Sequence, residues 1–167
     1  ITEYIALKEV ELGERHPRVG FYIAFLSKTY QRSGDDATAL RLMEQALPIQ
    51  EEALGPDDPK IAENLNNLVE IYQSQGRYAE ALPYAERAIA ITKGAYGESH
   101  PSIARSLLSL GSLYQFLGRH AEAILLMEQA LAIYESESGE TEGGHENFEV
   151  AGTLTSLTSL YDDVGDY

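Results

Sequence analysis

The chain contains no cysteine, which excludes a disulfide, a thiolate nucleophile and every cysteine-based zinc or iron–sulfur site. Basic residues are scarce as well: 12 Lys and Arg stand against 27 Asp and Glu, a formal net charge of −15. That balance opposes general binding to nucleic acid or an anionic membrane, and it favours a basic or neutral protein partner over an acidic one. No apolar run approaches the ~18 to 20 residues that a membrane span requires. The opening stretch ITEYIALKEVELGERHP alternates charged with apolar positions, so no signal peptide is expected there. The absence of cysteine is compatible with the cytosol, and a cytoplasmic location is expected. Sustained period-2 alternation between hairpin turns is also missing, so no sheet is expected.

What is present is a 44% apolar content, enough to bury a core, and a repeat. His16-Pro17, Asp58-Pro59 and His100-Pro101 recur at an interval of 42 residues. Tyr30, Tyr72 and Tyr114 keep the same interval, as do Gly34, Gly76 and Gly118, then Ala39, Ala81 and Ala123, then Ala46, Ala88 and Ala130. A fourth copy arrives late: Tyr161 and Gly165 follow their predecessors by 47 residues, with the extra length in the acidic stretch ESESGETEGGHENFE. The pattern divides the chain into 1–15, the second helix of a truncated repeat; repeats 16–57 and 58–99; repeat 100–144 with a lengthened acidic loop; and 145–167, the first helix of another truncated repeat. With no initiator Met and both ends in mid-repeat, the chain is expected to be a piece of a longer protein whose repeats continue on both sides. Its open ends, with Tyr4, Ile5 and Leu7 at one and Leu154, Leu157, Leu160 and Tyr161 at the other, are expected to fray or associate end to end.

Within one unit, Ile61, Leu65, Leu68 and Tyr72 are spaced by four, three and four residues, an apolar stripe along one helix face. Ala81, Leu82, Ala85, Ala88, Ile89 and Ile91 mark a second helix after Gly76. Asp58 is a suitable N-cap, and Pro59 at the first helical position loses an N–H that would have no helical partner anyway. Helix pairs are predicted at 17–33 and 37–54, 59–75 and 79–95, and 101–117 and 121–137, with a loop over 138–147. Pro48 falls well inside a second helix, where a bend is expected. The small Ala residues let paired helices approach closely. Tyr30, Tyr72, Tyr114 and Tyr161 are expected as packing tyrosines and not as a stacking platform for bases. The fold class that follows is all-α, a solenoid of stacked helix pairs.

These residues resemble the tetratricopeptide repeats, specifically the 42-residue kind found in kinesin light chain. Leu65, Leu68, Tyr72, Gly76, Ala81 and Ala88 carry the likeness, together with the stretch ENLNNLVEIYQSQGRYAEALPYAERAIAI and the linker ALGPDDP. The resemblance implies a right-handed superhelical solenoid of stacked antiparallel helix pairs, whose first helices line a concave groove for a peptide or partner segment. It assigns Asn67, Asn66, Arg105, Lys28, Phe25, Ser109, Phe116 and Glu70 to that groove. Asn67 matches the family's groove asparagine, whereas Phe25, Ser109 and Ser156 stand at the equivalent places, so the family's asparagine ladder is mostly missing. The Lys-plus-Asn combination that clamps a peptide carboxylate is absent. The basic groove that takes acidic cargo is absent too, because Lys28, Arg32 and Arg105 face Glu63, Glu70 and Asp162. The alternative reading is a structural segment that self-associates through its open solenoid faces.

Chemistry is not signalled. His16 and His100 occupy the helix-start place of Asp58, a repeat spacing and not a ligand set, so no metal is expected. Glu51-Glu52, Asp57-Asp58 and Asp162-Asp163 are adjacent in sequence and are expected as solvated charge. Nothing resembles a nucleophile elbow or a phosphate loop. No catalytic residue and no cofactor are assigned, and the expected role is non-catalytic.

Overall fold

A computed structural model describes residues 2–138 and 148–165, and among them every regular element is a helix. In chain order these are α1 (Thr2–Leu12), α2 (Pro17–Arg32), α3 (Asp36–Leu54), α4 (Pro59–Ser74), α5 (Tyr78–Tyr96), α6 (Pro101–Phe116), α7 (His120–Ser138) and α8 (Phe148–Gly165). Each of the six middle helices lies within one residue of the ends predicted from the repeat, with α5 and α7 each beginning and ending one residue outside them. The loop expected over 138–147 falls almost wholly outside the described residues; α7 extends through Ser138 and α8 begins at Phe148.

The helix starts are set by side chains that satisfy backbone N–H groups the helix itself leaves open. Asp58 Oδ1 accepts from the Lys60 N–H at 2.8 Å. The Nδ1 atoms of His16 and His100 accept from Arg18 and Ser102 N–H, each at 3.2 Å, so both histidines serve as caps. The first helices end before Gly34, Gly76 and Gly118, whose φ angles of 83°, 70° and 73° lie in the left-handed region that glycine adopts without strain.

Helices α2 and α3, α4 and α5, and α6 and α7 pack as pairs, and each pair stacks on the next through α3 against α4 and α5 against α6. Helix α4 also touches α2 and α6, so the first helices stand side by side along one face. The result is a right-handed solenoid of antiparallel pairs. Ala39, Ala46, Ala81, Ala88, Ala123 and Ala130 are fully buried where the paired helices meet, because a larger side chain would hold the backbones apart. Leu65, Leu68, Ile71 and Tyr72 share one core cluster with the first four of these alanines, Ala39, Ala46, Ala81 and Ala88.

Between the first two complete pairs the core includes a polar chain. Asn64 Nδ2 donates to Gln50 Oε1, and Gln50 Nε2 donates to the Gly20 carbonyl at 3.1 Å, with both side chains buried. Gly20 permits this approach: a Cβ there would lie 2.9 Å from Ile49 Cγ2. Helix α3 runs unbroken through Pro48, and both Pro48 and Glu44 are exposed, so the carbonyl that loses its helical partner is on the solvent side.

Two expectations need correction. Tyr161 is not a core tyrosine; it is half exposed and donates its hydroxyl to Glu128 Oε1 at 2.6 Å. Leu157 and Leu160 are not uncovered, since they are buried against Ala123 and Met127 of α7. A first helix has two apolar flanks, and the preceding pair covers one of them without help from any later helix. Leu154 on α8 and Leu7 on α1 do remain exposed, while the Tyr4 and Ile5 side chains lie outside the described residues.

Candidate functional site

The side-by-side first helices enclose a cleft of about 480 Å³. Lys28 reaches it from α2, Glu63, Asn66, Asn67 and Glu70 from α4, and Arg105 from α6. Their spacing explains the convergence. On α4 they fall at offsets of three and four, one helix face, while Ile61, Leu65, Leu68 and Tyr72 occupy the opposite, buried face.

The cleft is polar and its formal charges balance, with Lys28 and Arg105 against Glu63 and Glu70. None of the four forms an ion pair among the described residues, and each is exposed. Gln31 Nε2 donates to Glu70 Oε2 at 3.2 Å, tying α2 to α4 along the groove. Asn66 is half-buried; its Nδ2 donates to Ser106 Oγ at 3.2 Å, and its Oδ1 is buried without a partner. Asn67, also half-buried, keeps both its donor and its acceptor available. Among the described residues no group of three or more His, Asp or Glu is arranged to hold a metal ion.

Five of the eight residues expected in the groove therefore line this cleft: Asn67, Asn66, Arg105, Lys28 and Glu70. The other three lie elsewhere. Phe25 projects from α2 with 63% of its surface exposed. Ser109 is half-buried, and its hydroxyl donates to the Arg105 carbonyl at 3.2 Å. Phe116, at the end of α6, stacks on Tyr78 with ring centroids 4.4 Å apart and planes 6° from parallel.

The second helices also supply lining residues that the sequence did not single out: Thr92, Tyr96 and Tyr134. Tyr96 stands where the preceding repeat has Leu54, and it stacks on His100 at 4.4 Å between centroids. Tyr134 stands where the other repeats have Gln50 and Thr92. A departure from the repeat at the end of a second helix, beside the start of the next first helix, was the signal that could have found them.

The family model described as tetratricopeptide repeat matches residues 22–94 and 60–136. No curated protein matches the chain. Among solved structures, BtubC (BKLC) from P. vanneervenii is 26% identical over 90% of this chain, with a TM-score of 0.80. This chain spans 58% of that protein's length. The nearly identical repeats of a putative kinesin light chain from Podosopora anserina are 27% identical, with 99% of this chain and 76% of that chain covered and a TM-score of 0.79. The N-terminal domain of stress-induced protein-1 from C. elegans shares the fold at 14% identity, with 86% of this chain and 95% of that chain covered and a TM-score of 0.61. Among the described residues no helix is long and apolar enough to cross a membrane.

Proposed function

The chain belongs to the tetratricopeptide repeat family, and from that premise we propose that it is a non-catalytic protein-interaction scaffold that holds a partner's peptide segment in the cleft between α2, α4 and α6. A cytoplasmic setting is part of the same proposal. The observation that carries it is the convergence of unpaired Lys28, Glu63, Asn67 and Arg105 on one concave face, with Tyr96 and Tyr134 at its edge. Side chains that make no ion pair within the protein are free to bond to a ligand, and the Asn67 amide can both give to and take from a peptide backbone. The mechanism is shape and hydrogen bonding, with affinity set by a few anchors in the cleft.

The test is an array of peptides from unrelated sequences probed with the wild type and with the Asn67→Ala/Arg105→Ala variant. Peptides bound by the wild type should be lost by the variant, with its melting temperature unchanged because both positions lie outside the core. Peptides retained equally by both proteins would overturn the assignment of this cleft.

A further inference from the structure

Successive junctions between first helices are occupied differently. Where α4 stacks on α2, the Gln50 side chain of α3 enters the gap: its Nε2 donates to the Gly20 carbonyl at 3.1 Å, and its Oε1 accepts from Asn64 Nδ2. One repeat later the positions of Gly20, Gln50 and Asn64 hold Ala62, Thr92 and Ser106. Both amides have given way to shorter side chains. The Thr92 hydroxyl donates to the Ala88 carbonyl at 2.7 Å and the Ser106 hydroxyl to that of Ser102 at 3.3 Å, so each proton goes to its own helix and none crosses the junction. The three exchanges belong together. A Cβ at Gly20 would lie 3.2 Å from Gln50 Cγ, so a glutamine in this place goes with glycine, and alanine with the shorter threonine. Between α6 and α8 the same position is held by Tyr134, which is buried. The middle junction therefore has the smallest occupant.

The cleft opens at that junction and extends to Ala62 and Thr92, the place that the Gln50 side chain takes one repeat earlier. Its charges balance, with Lys28 and Arg105 against Glu63 and Glu70, so an uncharged side chain suits it. The wall is polar and incompletely satisfied: Asn66 Oδ1, where the preceding repeat has Ala24, is buried and receives no bond from the protein. A carboxamide is uncharged and carries both a donor and an acceptor.

We infer that the recess between α4 and α6 is an anchor site for a glutamine side chain of the partner's segment, held as Gln50 is held in the preceding junction. Its amide N–H donates to the Ala62 carbonyl, the equivalent of the Gly20 carbonyl, which has a second lone pair beyond its helical bond. Its Oε1 accepts from Arg105 or Asn67, the N–H donors that line the cleft. Thr92 sets the specificity by leaving the space open. The inference rests on the proposed peptide-binding role and adds which side chain of the partner is anchored, and where.

The experiment selects binders from a phage-displayed random peptide library on the full chain and measures the enriched sequences by fluorescence anisotropy as synthetic, fluorescein-labelled peptides. Enriched peptides are expected to share a glutamine. Replacing it by glutamate or by methionine, which keep its length, should weaken binding at least about tenfold, or about 1.4 kcal/mol. The variant Ala62→Gly/Thr92→Gln/Ser106→Asn rebuilds the first junction in the second and should lose the same peptides to a similar degree, its melting curve showing that it is folded. If it does not fold, the glutamate and methionine peptides on the wild type still decide. Enriched peptides that lack glutamine or tolerate its replacement, yet are lost by Asn67→Ala/Arg105→Ala, would overturn the anchor and leave the groove assignment intact. Undiminished binding to the folded triple variant would overturn it equally. If no peptide is enriched over the bare support, or if Asn67→Ala/Arg105→Ala changes nothing, the peptide-binding role itself fails and the inference with it.

Discussion

The guanidinium of Arg77 lies 4.6 Å from the centre of the Tyr72 ring. The same guanidinium donates through Nε to Glu80 Oε1 at 2.7 Å and through Nη2 to Glu80 Oε2 at 2.6 Å. One side chain thereby joins the end of α4 to the first turn of α5 across the turn at Gly76. In the next repeat Arg119 lies 4.0 Å from the centre of the Tyr114 ring and pairs with Glu122, which repeats the arrangement. The first complete repeat has Asp35 instead, and its carboxylate caps Thr38 at 3.1 Å. Hydrogen bonds from the Thr38 side chain and backbone hold that carboxyl below the usual range.

Tyr72 is only 4% exposed and stacks on Tyr84 at 5.5 Å between centroids. Tyr72→Ala should cost roughly 3 to 5 kcal/mol, the range for a deleted buried aromatic ring. Urea denaturation measures it, and a variant as stable as the wild type would show that the core and groove faces of α4 are wrongly divided.

The same residue gives an alkaline limit. Its phenol is pushed up from 10.0 to about 12, first by burial and then by Tyr84 and the charge of Glu44, with Arg77 acting the other way. The unfolded chain therefore ionises this group first. Its contribution to stability is complete below pH 10.0 and is lost as the pH rises toward about 12. Denaturation midpoints of the wild type and Tyr72→Phe, followed across that window, should show a steeper decline in the wild type; parallel curves would contradict the shift.

The histidine caps predict an exchange that a metal-binding reading would not. His100→Ala should destabilise by about 1 kcal/mol through the lost cap, whereas His100→Asp should match or exceed the wild type, because Asp58 caps α4 with a carboxylate and negative charge suits a helix start. Thermal melts of the two variants distinguish these outcomes.

The buried chain from Asn64 through Gln50 to the Gly20 carbonyl should behave as a unit. Gln50→Leu alone strands the Asn64 amide and the carbonyl, at about 1 to 3 kcal/mol. Asn64→Leu alone strands Gln50. The double variant should cost less than the two singles together, and a double-mutant cycle that sums to additivity would dissolve the coupling.

Protection of backbone amides should decline from α4–α6 toward α1 and α8, since each unit is held mainly by its neighbours and Leu7, Val10, Leu154 and Tyr161 are exposed at the two ends. Hydrogen exchange reads this directly, and equal protection in all eight helices would count against the nearest-neighbour picture.

The helices and their pairing were legible because the repeat states each rule several times over. Ala39, Ala81 and Ala123 mark the same tight crossing, and Pro17, Pro59 and Pro101 the same helix start, so local signals agree with one another at a fixed interval. The groove face of α4 was legible for the same reason: once Leu65, Leu68 and Tyr72 are committed to the core, Glu63, Asn66, Asn67 and Glu70 have only the other face. Phe116 could not be placed this way. Its helical position is compatible with the groove, but its ring found Tyr78, a residue from the neighbouring pair, and that choice depends on how two pairs are offset. Tyr96 and Tyr134 enter the cleft through the same offset, as does the burial of Leu157 and Leu160 against α7. The sequence determined which residues share a helix face, since that depends on spacing along one chain. Which faces meet, and which side chains fill the gap between them, was decided only when the pairs stacked, because distances between helices are set by the fit of side chains many residues apart.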